Sequence, residues 1–278
     1  SLSSTFRNLS LPMIHKLIPK FYTIKGRGTG AINISGALKS TKFNYAVNIE
    51  DAVFDLIQLG SLSSKGVYNG NYLDIEFANS SNGNDLIKSY GIVPFDLNLS
   101  SKRFGKLFIE DTLDFYSTGK LSSMPFLSPY ISELDSIKGD IDIILSLSGP
   151  ANAIIRNGEI NVKNASIHTV LLNHPITNVN GRGEMLDNRL NITYFNGASI
   201  NPNSKNNYLN ENNLAISGSI DFKSFFRPNY NMLVESVNQN EIYIETLPID
   251  LVGYADSINV SIYGKDTINI EGDIEVVD

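Results

Sequence analysis

Few residues of this chain have the types and spacing that a catalytic or metal centre requires. There is no cysteine, which excludes disulfides, thiolate zinc sites and cysteine nucleophiles. The three histidines, His15, His168 and His174, have no carboxylate or second histidine at the spacing of a metal site. His15 borders the apolar side of a predicted helix, and His174 precedes Pro175 in an apparent turn. We therefore expect surface or packing roles for the histidines and no bound metal.

A glycine-rich segment near the N-terminus has the spacing of a dinucleotide-binding motif. It covers residues 26–31 and reads GRGTGA. Such a motif binds phosphate at the start of a helix, but the next residues, 32–36, alternate as a strand does. We therefore expect no nucleotide cofactor.

Acidic residues occur in groups that could indicate a glycosidase or a calcium site. The groups are Asp140 with Asp142, Asp273 with Glu275, and Glu110 with Asp111 and Asp114. Glycoside hydrolysis requires two carboxyl groups that converge across a cleft, whereas alternate residues of one strand project to the same face. We expect solvated strand faces instead. Because no Gly-x-Ser-x-Gly motif with a triad partner is present either, the sequence predicts a protein that is not an enzyme.

The overall composition narrows the class of protein further. The chain has 278 residues, and its formal net charge of -7 makes it a poor electrostatic partner for nucleic acid. Hydrophobic residues make up 42%, which excludes a disordered polymer. No apolar run approaches the roughly 18 residues of a membrane-spanning helix. The chain opens with Ser and without a signal peptide, so we expect it to be part of a longer protein.

Alternation of apolar and polar residues recurs along nearly the whole chain and predicts a strand-rich fold. Residues 141–148 and 268–276 are examples, and about eighteen such strands occur at the short spacing of antiparallel meanders. Only residues 12–22 and 125–134 have helical spacing, each with Pro near its first turn. The predicted fold class is all-β: an elongated, curled antiparallel sheet, groove-like, with two short helices.

The sequence also repeats itself. Ile24-Lys25-Gly26 recurs 113 residues later as Ile137-Lys138-Gly139, and Ser35-Gly36 recurs as Ser148-Gly149. Such ordered matches predict repeats of about 115 residues. The first repeat covers residues 1–123 and the second 124–254, with an Asn-rich loop at 201–213. Residues 255–278 begin a truncated third repeat. The alternative is that two generic β-meanders share the same turn residues.

A sheet of this size with one apolar face must cover that face. Two short helices cannot do so, and a curled sheet that stays open leaves an apolar trough. Acyl chains suit such a trough, since each buried methylene contributes about 0.8 kcal/mol without directional hydrogen bonding. We expect the lining to come from the apolar phase of the alternation. The predicted lipid-binding residues are Ile32, Ile34, Val47, Ile49, Ile75, Phe77, Leu97, Leu99, Ile141, Ile143, Leu145, Leu147, Ile160, Val162, Ile192, Tyr194, Ile216, Ile220, Val260, Ile262, Ile270 and Ile274.

The repeated pattern resembles that of one family. It consists of Ile-Lys-Gly, an alternating strand, Ser-Gly, and a strand ending in Asn-x-x-Asn/Lys-x-Ala. In the first repeat Gly91-Ile92-Val93-Pro94-Phe95-Asp96-Leu97 follows. The chain resembles the TamB/AsmA-like superfamily of bacterial envelope proteins, most of all the repeated β-rich part of TamB-like members, over nearly its whole length.

This resemblance implies a long, taco-shaped β-sheet whose hydrophobic groove spans the periplasm of a diderm bacterium. It implies transport of phospholipid between the inner and outer membranes, with acyl chains as the ligand. It also implies an inner-membrane anchor outside these residues. The implied protein partner is an outer-membrane barrel of the Omp85 type, which links the family to outer-membrane protein assembly.

Two other non-catalytic functions fit the same pattern. A closed β-body with a filled interior would be a scaffold that aids outer-membrane protein insertion, holding a barrel or a nascent strand at its edges by strand addition. An adhesin-like surface stalk built from Asn-rich β-repeats would need no continuous apolar groove.

Overall fold

The computed structural model describes residues 1–12, 24–37, 40–54, 57–124, 134–170, 172–203, 212–223, 227–238, 241–246, 251–265 and 267–277. The prediction of an antiparallel, all-β protein is confirmed, and within the described residues only Leu11 and Pro12 are helical. The first predicted helix, 12–22, lies outside the described residues apart from Pro12. The second, 125–134, does so apart from Leu134, which is the first residue of a strand.

The described residues form eighteen strands, numbered in chain order. The first nine are β1 (Leu2–Ser10), β2 (Ile24–Ser35), β3 (Lys42–Phe54), β4 (Ile57–Tyr68), β5 (Leu73–Asn82), β6 (Asp85–Val93), β7 (Phe95–Asp96), β8 (Lys106–Leu107) and β9 (Thr112–Ser123). The other nine are β10 (Leu134–Pro150), β11 (Ile155–Thr169), β12 (Ile176–Leu186), β13 (Arg189–Ala198), β14 (Leu214–Asp221), β15 (Asn229–Ser236), β16 (Ile242–Glu245), β17 (Val252–Gly264) and β18 (Ile268–Val276).

Sixteen of these strands belong to one antiparallel sheet in which chain neighbours are mostly sheet neighbours. The order is β1-β2-β3-β4-β5-β6-β9-β10-β11-β12-β13-β14-β15-β17-β16, and β18 pairs with β17. The two remaining strands, β7 and β8, pair with each other. Pairing between consecutive strands defines a meander, as the short spacing of the alternating segments predicted.

The chain divides into two compact lobes. The first lobe comprises Ser1–Lys120 and Ile144–Arg156, and the second comprises Leu121–Ile143 and Asn157–Asp278. The repeat boundaries near residues 123 and 254 are not defined by this division and stay predictions.

In the first lobe, cross-strand pairing gathers apolar residues on one side of the sheet, here called the apolar face. Directly paired residues of antiparallel strands project to the same side. One row across the strands reads Ile32, Tyr45, Gly66, Ile75, Gly91 and Phe115. The next row reads Ile34, Phe43, Tyr68, Leu73 and Val93.

Between β6 and β9 the chain leaves the sheet and forms the β7–β8 segment, which is tied to one end of the apolar face. The fully buried Tyr68 donates its hydroxyl to the Gly70 carbonyl at 2.7 Å and accepts the Leu97 N–H at 2.9 Å. Asn98 Oδ1 accepts the Thr41 N–H at 3.0 Å, and its Nδ2 donates to the Gly70 carbonyl at 2.9 Å. These bonds anchor the segment to the start of β3 and the end of β4.

In the second lobe, β16 lies on the same edge of β17 as β15. Ala255 of β17 pairs with Ile242 of β16 on one side and with Val276 of β18 on the other. Since β15 and β18 both pair with residues 259–264, they too lie on opposite edges. β16 packs into a small core whose buried members are Leu214, Ile242, Ile244 and Ala255.

Candidate functional site

The second lobe has an apolar face built from the same kind of cross-strand rows. One row reads Ile160, Gly183, Ile192, Gly218, Met232, Ile262 and Ile270. The next reads Val162, Gly181, Phe195, Ile216, Val234, Val260 and Gly272. Glycines in these rows make room for large neighbours: a Cβ at Gly181 would lie 2.6 Å from Cγ of Phe195.

Of the residues that the sequence predicted as a lipid lining in the first lobe, five share its apolar face. They are Ile32, Ile34, Val47, Ile49 and Ile75. Leu145 and Leu147 are half-buried in β10.

Three predicted lining residues of the first lobe lie elsewhere. Phe77 stands in a β-bulge of β5, opposite Lys65. Leu97 and Leu99 follow β7, outside the large sheet. The strand that the alternation predicted here ends at Val93, because Pro94 has no N–H to donate to a neighbouring strand.

In the second lobe, nine predicted lining residues share the apolar face, and two more lie in β10. The nine are Ile160, Val162, Ile192, Ile216, Ile220, Val260, Ile262, Ile270 and Ile274. In β10, Ile141 is buried and Ile143 is half-buried.

Tyr194 lies on the opposite, polar face. A register shift in β13 places it across from Arg182, whose guanidinium pairs with Glu159 at 2.7 Å. Its side chain is 51% exposed. Phe195 takes the position on the apolar face, paired with Gly181 and with a residue of β14. The alternation of apolar and polar residues did not predict Phe195 on the apolar face. The extra residue of a bulge reverses the face to which each following residue of the strand projects.

Most of the predicted lining residues are neither fully buried nor fully exposed to solvent. Of its 22 residues, fifteen are half-buried, three are buried (Ile141, Val162 and Ile220) and four are exposed (Leu99, Tyr194, Ile270 and Ile274). Inward-facing residues of a filled β-body are close-packed and largely shut off from solvent. Ten of the fourteen residues that lie on the apolar faces are half-buried, so each face is an apolar surface that still has room for contact.

Two pairs of hydroxyl groups on the apolar face of the first lobe are hydrogen-bonded to each other. The Tyr45 hydroxyl lies 3.0 Å from Ser64 Oγ, and Ser89 Oγ lies 2.9 Å from Ser117 Oγ. Burial raises the pKa of Tyr45, so its hydroxyl stays neutral. These pairs leave the face with little capacity to select a polar ligand.

A buried polar cluster in the second lobe centres on His174, Ser199 and Tyr243. His174 Nε2 lies 2.7 Å from Ser199 Oγ, and that hydroxyl donates to the Tyr243 carbonyl at 2.5 Å. Asn213 accepts the Ser199 N–H at 2.9 Å and donates to the Ser199 carbonyl at 3.0 Å. For His174, whose sequence context predicted a surface or packing role, the structure shows a packed interior position with 3% of the residue exposed.

The pair of Ser199 and His174 has the residue types of a nucleophile and its base, but its geometry serves packing. A serine nucleophile must give its proton to the histidine and must reach the substrate. The Ser199 proton goes instead to the Tyr243 carbonyl, and Ser199 is buried. The bonds therefore join the loop before β12, the end of β13 and strand β16.

The acidic groups and the glycine-rich segment, which the sequence offered as possible functional sites, lie on solvent-exposed positions or within a β-strand. The acidic groups at residues 110–114, 140–142 and 273–275 are exposed at every Asp and Glu. Within the described residues, no three His, Asp or Glu side chains come together as metal ligands. Residues 26–31 lie inside β2, so the glycines precede more strand rather than a helix N-terminus.

No protein-family model matches the chain, and neither the curated proteins nor the solved structures contain a match. The part of the chain that the structure describes contains no helix with the length and apolar character needed to cross a membrane.

Proposed function

We propose that this chain is a segment of an envelope protein that carries phospholipid along an apolar, groove-like sheet face, without making or breaking a bond. The observation that carries the proposal is the half-buried state of the predicted lining. Of the fourteen predicted residues that lie on the two apolar faces, ten are half-buried and two are exposed. An acyl chain laid on such a face removes that surface from water.

Acyl chains fit this face better than polar ligands do. Two pairs of hydroxyls on the apolar face of the first lobe already bond to each other, among them Ser89 and Ser117. A ligand therefore gains mainly from methylene burial, about 0.8 kcal/mol each. Such a gain fixes neither register nor orientation, which allows a lipid to slide while its head group stays in solvent.

The proposal includes an elongated, curled architecture built from repeats of about 115 residues. Backbone conformation supports the repeat at an offset of 113 residues. Gly26 and Gly139 both have positive φ, 127° and 153°. Asp51 and Asn164 do as well, at 51° and 49°, and each precedes a buried alanine.

On the strength of the sequence resemblance to TamB/AsmA-like proteins, we extend the proposal to cellular context. The chain would act in the periplasm of a diderm bacterium, between an inner-membrane anchor outside these residues and an outer-membrane barrel of the Omp85 type. Catalysis plays no part in this function.

Native mass spectrometry with lipid extraction, on the chain expressed in a bacterial periplasm, tests lipid carriage. We expect phospholipid to co-purify with the unmodified chain. Ile192→Asp places a carboxylate on the apolar face and should abolish most of the bound lipid. Tyr194→Asp is the matched control, since it adds the same charge to the same strand on the polar face and should leave the lipid in place.

Circular dichroism and thermal unfolding confirm that both variants are folded before lipid is compared. A folded chain that carries no lipid, or equal lipid on the two variants, contradicts the proposal.

A scaffold that aids outer-membrane protein insertion through a barrel partner is the second candidate function. The edge strand β18 favours it, because eight of its nine residues are exposed and, among the described residues, it pairs with β17 alone. Edge strands accept further strands from partner proteins. A stable, lipid-free monomer in the same measurement would favour this scaffold.

A further inference from the structure

Residues 97–109 of the β7–β8 segment, here called the basic tip, carry an excess of positive charge. Their only charged residues are Lys102, Arg103 and Lys106, all exposed, in a chain whose formal net charge is -7. Within the described residues both ion pairs lie in other strands, so none of these three cations has a carboxylate partner. A group of unpaired cations on an acidic protein attracts an anion.

The acidic residues that flank the basic tip in the chain do not pair with it. Asp96 is 4% exposed, and its carboxylate accepts bonds from Ser101 Oγ at 2.5 Å and from the Asn98 N–H at 3.2 Å. Asp96 therefore orders the start of the tip. Glu110 and Asp111 follow the tip and are exposed, and within the described residues neither has an ion pair with it.

Hydrogen bonds hold the basic tip in one conformation. The Gly105 N–H donates to the Asp96 carbonyl at 2.7 Å, and the Lys106 N–H donates to the Arg103 carbonyl at 2.9 Å. Nη2 of Arg103 donates to the Leu107 carbonyl at 3.1 Å. Within the described residues that is the one hydrogen bond of the Arg103 side chain, so its other N–H groups can donate to a ligand. A tip that is already ordered loses little entropy on binding.

The basic tip is fixed at one end of the apolar face of the first lobe. The Leu97 N–H donates to the hydroxyl of the buried Tyr68 at 2.9 Å, and Tyr68 belongs to a cross-strand row of that face. The Leu99 N–H donates to the Thr41 hydroxyl at 3.3 Å. The Leu99 side chain itself is 54% exposed. Cations and exposed apolar surface therefore occur together where the apolar face ends.

This combination selects among anionic ligands. Inorganic phosphate would gain nothing from the apolar surface, whereas the acyl chains of a phospholipid gain from methylene burial. The phosphate of the same lipid can accept charge-assisted hydrogen bonds from Arg103 and from the lysines. In phosphatidylcholine an ammonium group offsets the phosphate charge, but in phosphatidylglycerol no group does.

We propose that the basic tip binds the phosphate of a phospholipid whose acyl chains lie on the apolar face of the first lobe, and that it favours head groups with net negative charge. Arg103 supplies directed hydrogen bonds, and Lys102 and Lys106 supply charge. This inference rests on the proposed lipid carriage and names the class of head group that goes with it.

The test gives the full chain a choice between two lipids. The chain is incubated with vesicles of equimolar phosphatidylglycerol and phosphatidylcholine with identical acyl chains, re-isolated, and measured by native mass spectrometry with lipid extraction. We expect phosphatidylglycerol to exceed phosphatidylcholine about fivefold at low salt, and the ratio to fall as salt screens the tip. Lys102→Gln, Arg103→Gln and Lys106→Gln combined should bring the ratio close to one by lowering bound phosphatidylglycerol.

The matched control combines Arg27→Gln, Lys88→Gln and Lys120→Gln. It also removes one arginine and two lysines, from exposed positions on the polar face of the same lobe. The control should keep the preference for phosphatidylglycerol. Circular dichroism establishes that both triple variants are folded before their lipids are compared.

The outcomes separate this proposal from lipid carriage itself. Equal binding of the two lipids by the unmodified chain overturns the proposal, as does a preference that survives in the tip variant or disappears in both variants. Bound phosphatidylcholine still reports lipid carriage in each of these cases. If neither lipid binds, lipid carriage fails and this proposal fails with it.

Two further measurements exclude other sources of the anion. Saturable binding of inorganic phosphate by calorimetry, without a lipid preference, would make the tip a free-phosphate site and overturn the proposal. Flotation with phosphatidylglycerol vesicles tests a membrane surface. If the tip variant loses flotation while its extracted lipids keep the original ratio, the tip contacts a membrane and does not hold the carried lipid.

Discussion

At the residue scale, the hydrogen bonds around His174 determine which of its nitrogens carries the proton. The Ser199 hydroxyl donates its only hydrogen to the Tyr243 carbonyl. Nε2 of His174 must therefore donate to Ser199 Oγ. Nδ1 is then the unprotonated nitrogen, and it is buried without a hydrogen-bond partner in the described residues. A second proton would place an unpaired N–H in the interior, and burial lowers the pKa of His174 below the ordinary 6.5.

This geometry predicts a loss of stability on mild acidification. The unfolded chain takes up a proton at His174 near pH 6.5, whereas the folded chain does so only at lower pH. The unfolded state therefore binds more protons in that window, and stability, complete above pH 6.5, falls as the pH falls towards the folded pKa. Thermal unfolding between pH 7.5 and 5 measures the effect.

His174→Gln is the control for that measurement. Its side-chain amide can still donate to Ser199 but does not titrate, so the decline in melting temperature over this range should become shallower. An identical decline in the two proteins would show that His174 is not the responsible group.

At the scale of strands, the pairing of a glycine with a large side chain on the next strand determines how closely the two strands approach. In the cross-strand rows of the second lobe, Ile160 pairs with Gly183 and Phe195 pairs with Gly181. A Cβ at Gly181 would collide with the Tyr194 carbonyl and with the Phe195 ring. The glycines are therefore part of the packing of the apolar face.

Gly181→Ala should destabilise the chain by about 1–3 kcal/mol, because the backbone must shift to relieve the overlap. Gly253→Ala in β17 is the matched control, since a Cβ there has no atom within 4 Å. That substitution should change stability by less than about 1 kcal/mol. Urea unfolding of both variants provides the comparison, and similar losses in the two would contradict the packing role.

At the scale of the whole chain, the proposed lipid path depends on apolar faces in both lobes. Ile75→Asp combined with Ile143→Asp places one carboxylate in each lobe, and we expect most phospholipid transfer in cells to stop while the protein still folds. Val67→Asp with Tyr194→Asp makes the same charge change at exposed positions and should preserve transfer. Normal transfer by the first pair would count heavily against the groove.

The sequence predicted the all-β class and most of the apolar face, because period-2 alternation reports which side of a strand is buried. It failed at Tyr194 and Phe77, where bulges change the register, and at Leu97 and Leu99, where the chain leaves the sheet. Bulges are decided by contacts between strands, which leave no local pattern. For His174 the sequence predicted a surface or packing role but could not choose between the two, since its partners lie 25 and 69 residues away in the chain.

Most strands pair with their neighbours in the chain. A β-hairpin is therefore the natural unit to insert into the sheet or delete from it. If β12 and β13 were deleted together, β11 and β14 would still run in opposite directions and could pair. Deleting β12 alone would bring parallel neighbours together on a connection too short for a crossover. Related chains should therefore gain or lose strands in even numbers, which preserves the pairing of the strands on either side.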